Sequence, residues 1–120
     1  MVLNFNMNSP DIQSVAKRVI KIEAEAVSLI GERIDAQFES AVQSILQCSG
    51  RLIVSGMGKS GLISPKIAST MDSTGTPSHF VHPGEATHGD QGMITKEDVV
   101  LIVSNSGETM ELIQILPALQ

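Results

Sequence analysis

The chain has 120 residues, of which 42% are apolar, and it carries a formal net charge of −5 and a single cysteine. This length and composition are typical of one globular domain. The negative charge and an aromatic content of 2% argue against a nucleic-acid surface, which needs basic stripes and stacking aromatics. No apolar run approaches the roughly 18 residues of a membrane span, and the first residues do not resemble a signal peptide, so we expect no membrane contact and a cytoplasmic location.

The first part of the chain predicts a disordered tail over residues 1–8 and two helices over residues 9–48. Ser9, Pro10 and Asp11 occur in the order of a helix start, with a capping hydroxyl, a proline at the first position and an acid in the first turn. The apolar stripe that follows is wider than one sheet face requires, so we expect this helix to meet a second subunit. The second helix should end before Gly50 in a left-handed cap, and Cys48 should simply pack.

From Arg51 onward the pattern becomes strand, loop and helix, repeated. The uninterrupted apolar run Val100–Val103 predicts a central strand that is covered on both faces. Pro65 is tolerable only near a helix start, so the helix that contains it could begin at Ser64. Short helical crossovers predict parallel strands with right-handed connections. The predicted strands are 52–55, 78–81 and 98–103, and the predicted helices between and after them are 59–73 and 110–120.

These elements predict a three-layer α/β domain with a parallel sheet, of the flavodoxin or Rossmann type. Three strands do not make a closed sheet of this kind, which usually has about five. The apolar helix at 110–120 also lacks a cap and a following strand. We therefore expect residues 1–120 to form a single but partial domain, incomplete at its C-terminus.

Two loops at the ends of these strands predict a binding site. Ser104, Ser106 and Thr109 offer three hydroxyls beside the amide of Asn105 at a helix N-terminus, where free N–H groups favour an anion such as phosphate. The loop Gly56–Gly61 follows the first strand. Because ligands of parallel sheets lie beyond the carboxyl ends of the strands, both loops should face one crevice. A well-capped helix start is the simpler reading of the serine loop.

The glycine loop also has the spacing of the dinucleotide fingerprint, so a dinucleotide-binding domain is an alternative. That fold places an acid at the end of the second strand, where this chain has His82 and Pro83. A nucleotide-triphosphate loop would need a glycine at Ile53. Neither motif is therefore complete.

Five segments together resemble the sugar isomerase domain family, and within it the arabinose 5-phosphate isomerases. The resemblance implies the interconversion of ribulose 5-phosphate and arabinose 5-phosphate, a step toward the eight-carbon sugar acid of lipopolysaccharide. It implies no cofactor, a small phosphosugar as ligand, and a homo-oligomer, which is a tetramer in the family. The segments are Gly56–Gly61, Ser73–Pro77, Val81–Glu85, His88–Asp90 and Ser104–Glu108.

The same resemblance implies roles for individual residues. Lys59, His88 and Glu111 match catalytic positions, and His82 also matches a site of inhibitory zinc binding. An enediol reaction needs such groups, a base for the carbon proton and a donor for the developing oxyanion. The implied substrate-binding residues are Gly75, Thr76, His82, His88, Ser104, Asn105, Ser106 and Thr109.

Simpler explanations exist for some of these residues. His88 beside Gly89 could cap a turn, and Glu111 could favour the helix dipole without taking part in catalysis. A regulatory module that binds a phosphosugar without converting it is a further alternative. Since the family has further catalytic groups beyond Gln120, we expect the 120-residue chain to bind weakly and to catalyse little.

Overall fold

The computed structural model describes residues 11–86, 93–108, 110 and 113. The described residues fall into two compact units, one up to Ser40 and one from Ala41 onward. The predicted tail, residues 1–8, lies outside the described residues. In chain order the elements are α1 (Ile12–Gly31), α2 (Ala36–Leu46), β1 (Leu52–Gly56), α3 (Gly58–Ser73), β2 (Ser78–Phe80), α4 (Pro83–Ala86) and β3 (Val99–Val103).

Helix α1 begins after Asp11, so the prediction of Ser9 as its cap is wrong. The carboxylate of Asp11 accepts hydrogen bonds from the Ser14 hydroxyl at 2.7 Å and from the Gln13 N–H at 3.2 Å. These two bonds, the Ser14 bond first, lower the pKa of Asp11. A carboxylate can accept both bonds and also complements the positive end of the helix, which explains why it caps the helix.

The segment that follows α2 corrects a second prediction. Helix α2 is capped by Asp35, whose carboxylate accepts from the N–H groups of Gln37 and Phe38. Gly50 does not have a positive φ, so its predicted left-handed cap is wrong. Gly50 is instead a point of close approach, because a Cβ there would lie 2.5 Å from Oδ1 of Asp98.

The second unit contains a three-stranded parallel sheet in the order β2-β1-β3, which confirms the predicted parallel pairing. Leu52 of β1 pairs with Ser78 of β2 and with Val99 of β3. Strand β1 is central and buried throughout, whereas β3 is half-buried and is an outer strand of the described sheet. The prediction that Val100–Val103 forms the central strand is therefore wrong for the described sheet.

The core forms on the two faces of β1, because alternate side chains of a strand point to opposite faces. On one face Ile53 packs with Val81, and Ile94 and Val100 lie against them. On the other face Leu52 and Val54 pack against Ala68 of α3. Both faces of β1 are covered, and this gives the loop after β1 a rigid base.

Helix α3 runs unbroken from Gly58 to Ser73, which confirms the helix predicted over 59–73, and the alternative start at Ser64 is wrong. Pro65 lies inside it, where a proline typically costs about 3 kcal/mol because it removes one helical hydrogen bond. Ser64 and Ala68 are buried along the inner face of this helix, and the Ser64 hydroxyl donates to the Ser60 carbonyl at 2.8 Å. Packing on β1 therefore outweighs the local preference of Pro65.

Candidate functional site

A cavity of about 230 Å³ lies at the carboxyl edge of the sheet, which is the side where the parallel strands end. The loop that opens α3 forms one wall, and the serine loop after β3 forms the other. The two loops predicted to face one crevice therefore do so. The lining residues are Met57, Lys59, Ser60, Val103, Ser104, Asn105 and Ser106.

The start of α3 gives this cavity a positive character. Met57 occupies the cap position with an extended backbone, and no side chain caps the helix there. The N–H groups of the first turn therefore have no side-chain partner at the cap. Lys59 is exposed in the same turn, and its ammonium makes no ion pair within the described part of the chain. In a chain of net charge −5, the first turn of α3 is therefore a region of locally positive potential.

The serine loop supplies hydroxyl groups to the opposite wall. Ser104 Oγ accepts a hydrogen bond from the Gly107 N–H at 2.9 Å, and Ser106 Oγ accepts from the Glu108 N–H at 3.2 Å. Gly107 has φ +71°, a conformation that side chains disfavour. Because each serine oxygen serves here as an acceptor, its O–H remains able to donate to a bound oxyanion.

His82 follows β2 at the same edge of the sheet. Its ring is half-buried, and Nδ1 accepts a hydrogen bond from the Gly84 N–H at 3.2 Å. The Phe80 ring meets it edge-on, with the ring centroids 6.4 Å apart. The backbone beneath is fixed, because the buried Ser55 hydroxyl donates to the Val81 carbonyl at 2.8 Å.

The contacts of Ser55 and Gly84 that position His82 were not predicted from the sequence. A signal existed for Ser55, since it is the one hydroxyl in an otherwise apolar strand and needs a partner once buried. No sequence pattern points to the Gly84 contact, because it depends on the short helix α4, which was not predicted.

Other predicted site residues lie elsewhere. Gly75 and Thr76 precede β2 and so lie at the opposite, amino edge, where they line a separate cavity of about 170 Å³. The structure does not bring them together with Lys59, and their role stays a prediction. His88, Thr109 and Glu111 lie outside the described residues. Among the described residues, no group of three histidine, cysteine or acidic side chains could hold a metal ion.

The amino edge of the sheet, where the strands begin, is stabilised by a buried carboxylate. Asp98, with 2% of its side chain exposed, accepts from the N–H groups of Arg51 at 2.7 Å and Thr95 at 2.8 Å. Burial raises the pKa of Asp98, but these bonds and the Arg51 guanidinium at 3.6 Å outweigh burial and leave the pKa below its ordinary value. The same guanidinium donates to the Met93 carbonyl at 2.7 Å, and the Cys48 thiol donates to the Glu97 carbonyl.

Comparison with known proteins places this architecture in a family. The family model described as the SIS domain matches residues 45–120, which include β1, α3, β2, β3 and both loops. The chain belongs to the SIS-domain family. It is 50% identical over 110 residues to a Yersinia pestis protein named arabinose 5-phosphate isomerase KdsD, covering 92% of this chain and 34% of that protein. A Pseudomonas aeruginosa protein of the same name is 51% identical over 118 residues, covering 98% of this chain and 36% of that protein.

Solved structures support the same assignment for this SIS domain. An Escherichia coli protein in complex with arabinose 5-phosphate superposes with a TM-score of 0.84 at 43% identity, covering 94% of this chain and 60% of that one. A Bacteroides fragilis protein, provisionally described as a phosphosugar isomerase involved in capsule formation, gives a TM-score of 0.82 at 38% identity, with 92% and 58% covered. The chain thus spans about a third of the two KdsD relatives. Within the described residues, no helix is long and apolar enough to cross a membrane.

Proposed function

We propose that this chain forms part of an aldose–ketose isomerase that interconverts D-arabinose 5-phosphate and D-ribulose 5-phosphate. The observation that carries the proposal is the cavity that brings Lys59 together with Ser104 and Ser106. The proposal is supported by a sequence identity of about 50% to two proteins that are named arabinose 5-phosphate isomerase. As the resemblance implies, the product would feed the lipopolysaccharide sugar acid.

The phosphate of the substrate would bind to the serine loop. The hydroxyls of Ser104 and Ser106 can donate to phosphate oxygens, and the amide of Asn105 lies in the same wall. The uncapped start of α3 adds partial positive charge across the cavity. Thr109 is proposed to add a third hydroxyl, following the resemblance.

The sugar would then extend toward the groups that move protons. A base removes the proton from C2 of the aldose while O1 gains a proton, which gives an enediol. Loss of the proton from O2 and return of one to C1 then give the ketose. Lys59 is proposed to stabilise the oxygen on which charge develops, because its ammonium has no ion-pair partner in the described part of the chain.

The remaining roles follow the resemblance. His88 and Glu111 are the proposed proton carriers, and Gly75, Thr76 and His82 are proposed sugar contacts. Since Gly75 and Thr76 line a separate cavity at the opposite edge of the sheet, we propose that they contact the sugar bound by another copy of the chain. A homo-oligomer is therefore part of the proposal.

A chimera tests the function directly. This chain would replace the matching 118 residues of the Pseudomonas aeruginosa relative, and conversion of arabinose 5-phosphate would be measured. We expect isomerase activity that falls by about 10²- to 10³-fold on Lys59→Ala, the usual cost of removing one oxyanion donor. A folded chimera without activity would overturn the proposal, as would activity that Lys59→Ala leaves unchanged.

Thermal shifts of the 120-residue chain separate the alternative functions. Stabilisation by arabinose 5-phosphate in the chain, together with turnover in the chimera, supports the isomerase. The same stabilisation without turnover supports a regulatory module. Stabilisation by a nicotinamide dinucleotide instead of the sugar phosphate would favour a dinucleotide-binding domain. A ligand at about 100 times its Kd adds about 2.7 kcal/mol, which a melting curve resolves.

A further inference from the structure

The contact between Gly84 and His82 determines what the imidazole can do. A neutral imidazole has one N–H donor and one bare nitrogen that accepts. Nδ1 of His82 accepts from the Gly84 N–H at 3.2 Å, so Nδ1 is the bare nitrogen. The proton of the neutral ring is then on Nε2. Within the described part of the chain, Nε2 has no hydrogen-bond partner of its own.

The surroundings hold the ring in this state. Val81 is 4% exposed and Pro83 is fully buried, so the backbone on both sides of His82 is packed. The Ser55 hydroxyl fixes the Val81 carbonyl, and the Glu85 N–H donates to the His82 carbonyl at 3.0 Å. The Phe80 ring restricts the imidazole from a third direction. A rotation that removed Nδ1 from Gly84 would break the one hydrogen bond that the imidazole makes in the described structure.

The same contact argues against His82 as a zinc ligand. A histidine that binds a metal through one nitrogen almost always donates its other N–H to a carbonyl, carboxylate or water. The other nitrogen of His82 instead faces a donor, the Gly84 N–H. Binding of zinc through Nε2 would move the proton to Nδ1. The Nδ1–H of His82 and the N–H of Gly84 would then face each other as two donors with no acceptor between them. The donor set around His82 therefore does not fit the inhibitory zinc that the family resemblance implies.

We infer that Gly84 is a positioning residue, which holds His82 as the Nε2–H tautomer and so makes it a hydrogen-bond donor rather than a metal ligand. The tautomer follows from the geometry of this chain alone. That the donor acts on a sugar oxygen rests on the proposed function.

Nitrogen-15 NMR of histidine-labelled protein tests the tautomer without any assay of activity. The spectrum of the 120-residue chain would be recorded at mildly alkaline pH, where free histidine is neutral. His82→Gln identifies the His82 signals, and exposed His79 serves as an internal reference. We expect one tautomer at His82, with the proton on Nε2, and a mixture at His79. A mixture at His82, or a proton on Nδ1, would overturn the inference, as would a change in its signals on addition of zinc alone.

Two substitutions at Gly84 form a matched pair. Gly84→Ala keeps the N–H and adds a Cβ about 3.3 Å from Nδ1, whereas Gly84→Pro adds a Cβ and also removes the N–H. The mixture of tautomers should therefore appear at His82 only with proline. If Gly84→Pro fails to fold, the spectrum of the unsubstituted chain still decides the matter.

The chimera tests the donor role with a second pair of variants. His82→Gln can place an N–H where Nε2 stands, whereas His82→Asn can keep only an acceptor near Nδ1. We expect KM for arabinose 5-phosphate to rise about tenfold more with asparagine than with glutamine. Equal effects would contradict the donor role. An inactive parent chimera would instead count against the proposed function and would leave the NMR result standing.

Discussion

The two edges of the sheet differ in whether their charged side chains have partners. At the amino edge, the carboxylate of Asp98 is buried and accepts from two backbone N–H groups, and Arg51 lies beside it. At the carboxyl edge, Lys59 is exposed and has no ion-pair partner in the described residues, and the first turn of α3 has no side-chain cap. The same strands carry both edges. The satisfied charge at the amino edge stabilises the fold, whereas the unpaired cation at the carboxyl edge lies beside a cavity that can receive a ligand.

The largest expected effect is on activity and comes from the carboxyl edge. In the chimera, Lys59→Met should lower turnover by about 10²- to 10³-fold, because the developing oxyanion loses its cation. The free energy of unfolding should change by no more than about 0.5 kcal/mol, since Lys59 is exposed. Lys96→Met, near the amino edge with 91% of its side chain exposed, is the matched control and should change neither quantity.

The second prediction is that a substitution at the amino edge lowers stability and leaves ligand affinity unchanged. Asp98→Ala should lower the free energy of unfolding by about 1–3 kcal/mol, because it strips the N–H groups of Arg51 and Thr95 of their acceptor. Urea unfolding of the 120-residue chain measures this loss, and Glu97→Ala is the control beside it. The Kd for arabinose 5-phosphate should stay the same at a temperature where the variant is folded. A large loss of affinity would mean that the two edges are not separable.

The third prediction concerns space at the amino edge. Gly50→Ala should destabilise the chain by about 1–3 kcal/mol, because the new Cβ would lie 2.5 Å from Asp98 Oδ1 and 2.7 Å from the backbone of Glu97. Gly31→Ala meets no atom within 4 Å and, inside α1, should be neutral or slightly stabilising. Equal melting temperatures for the two variants would contradict the close approach at Gly50.

The smallest effect is a dependence on pH. Because the pKa of Asp98 is below its ordinary value of 3.8 in the folded chain, its contribution is fully present above that value. The contribution is lost as the pH falls through the lowered folded pKa. The gap in unfolding free energy between the natural chain and Asp98→Asn should thus be constant near neutral pH and shrink below about pH 4. A gap that grew on acidification would contradict the sign of the shift.

The sequence predicted the strand positions and their parallel pairing well, because apolar runs bounded by glycine and serine loops are local signals. It also placed the loops at Lys59 and Ser104 at one edge, since topology alone requires this. The predictions from sequence were wrong where a residue distant in the chain determines the local backbone conformation. Gly50 is limited by Asp98, far along the chain, and Pro65 remains inside a helix because the inner face of α3 packs on β1.

The candidate site was predictable only in part. Residue types and loop positions pointed to Lys59, Ser104, Asn105 and Ser106, and the structure gathers these residues around one cavity. The supports of His82 were not predictable, because the Gly84 contact depends on a helix of four residues and on the orientation of a ring. The roles of His88, Thr109 and Glu111 stay predictions, because these residues lie outside the described part of the chain.

The central position of β1 has a consequence for how the chain folds during synthesis. Arg51 precedes β1 and Asp98 precedes β3, and the two lie 47 positions apart. At a ribosomal rate of about 5–20 residues per second, one side of β1 therefore waits about 2–10 s for its partner strand. An apolar strand with free hydrogen-bonding groups is prone to pair wrongly during that time. The nascent chain is therefore most exposed to aggregation in the interval between the emergence of β1 and that of β3.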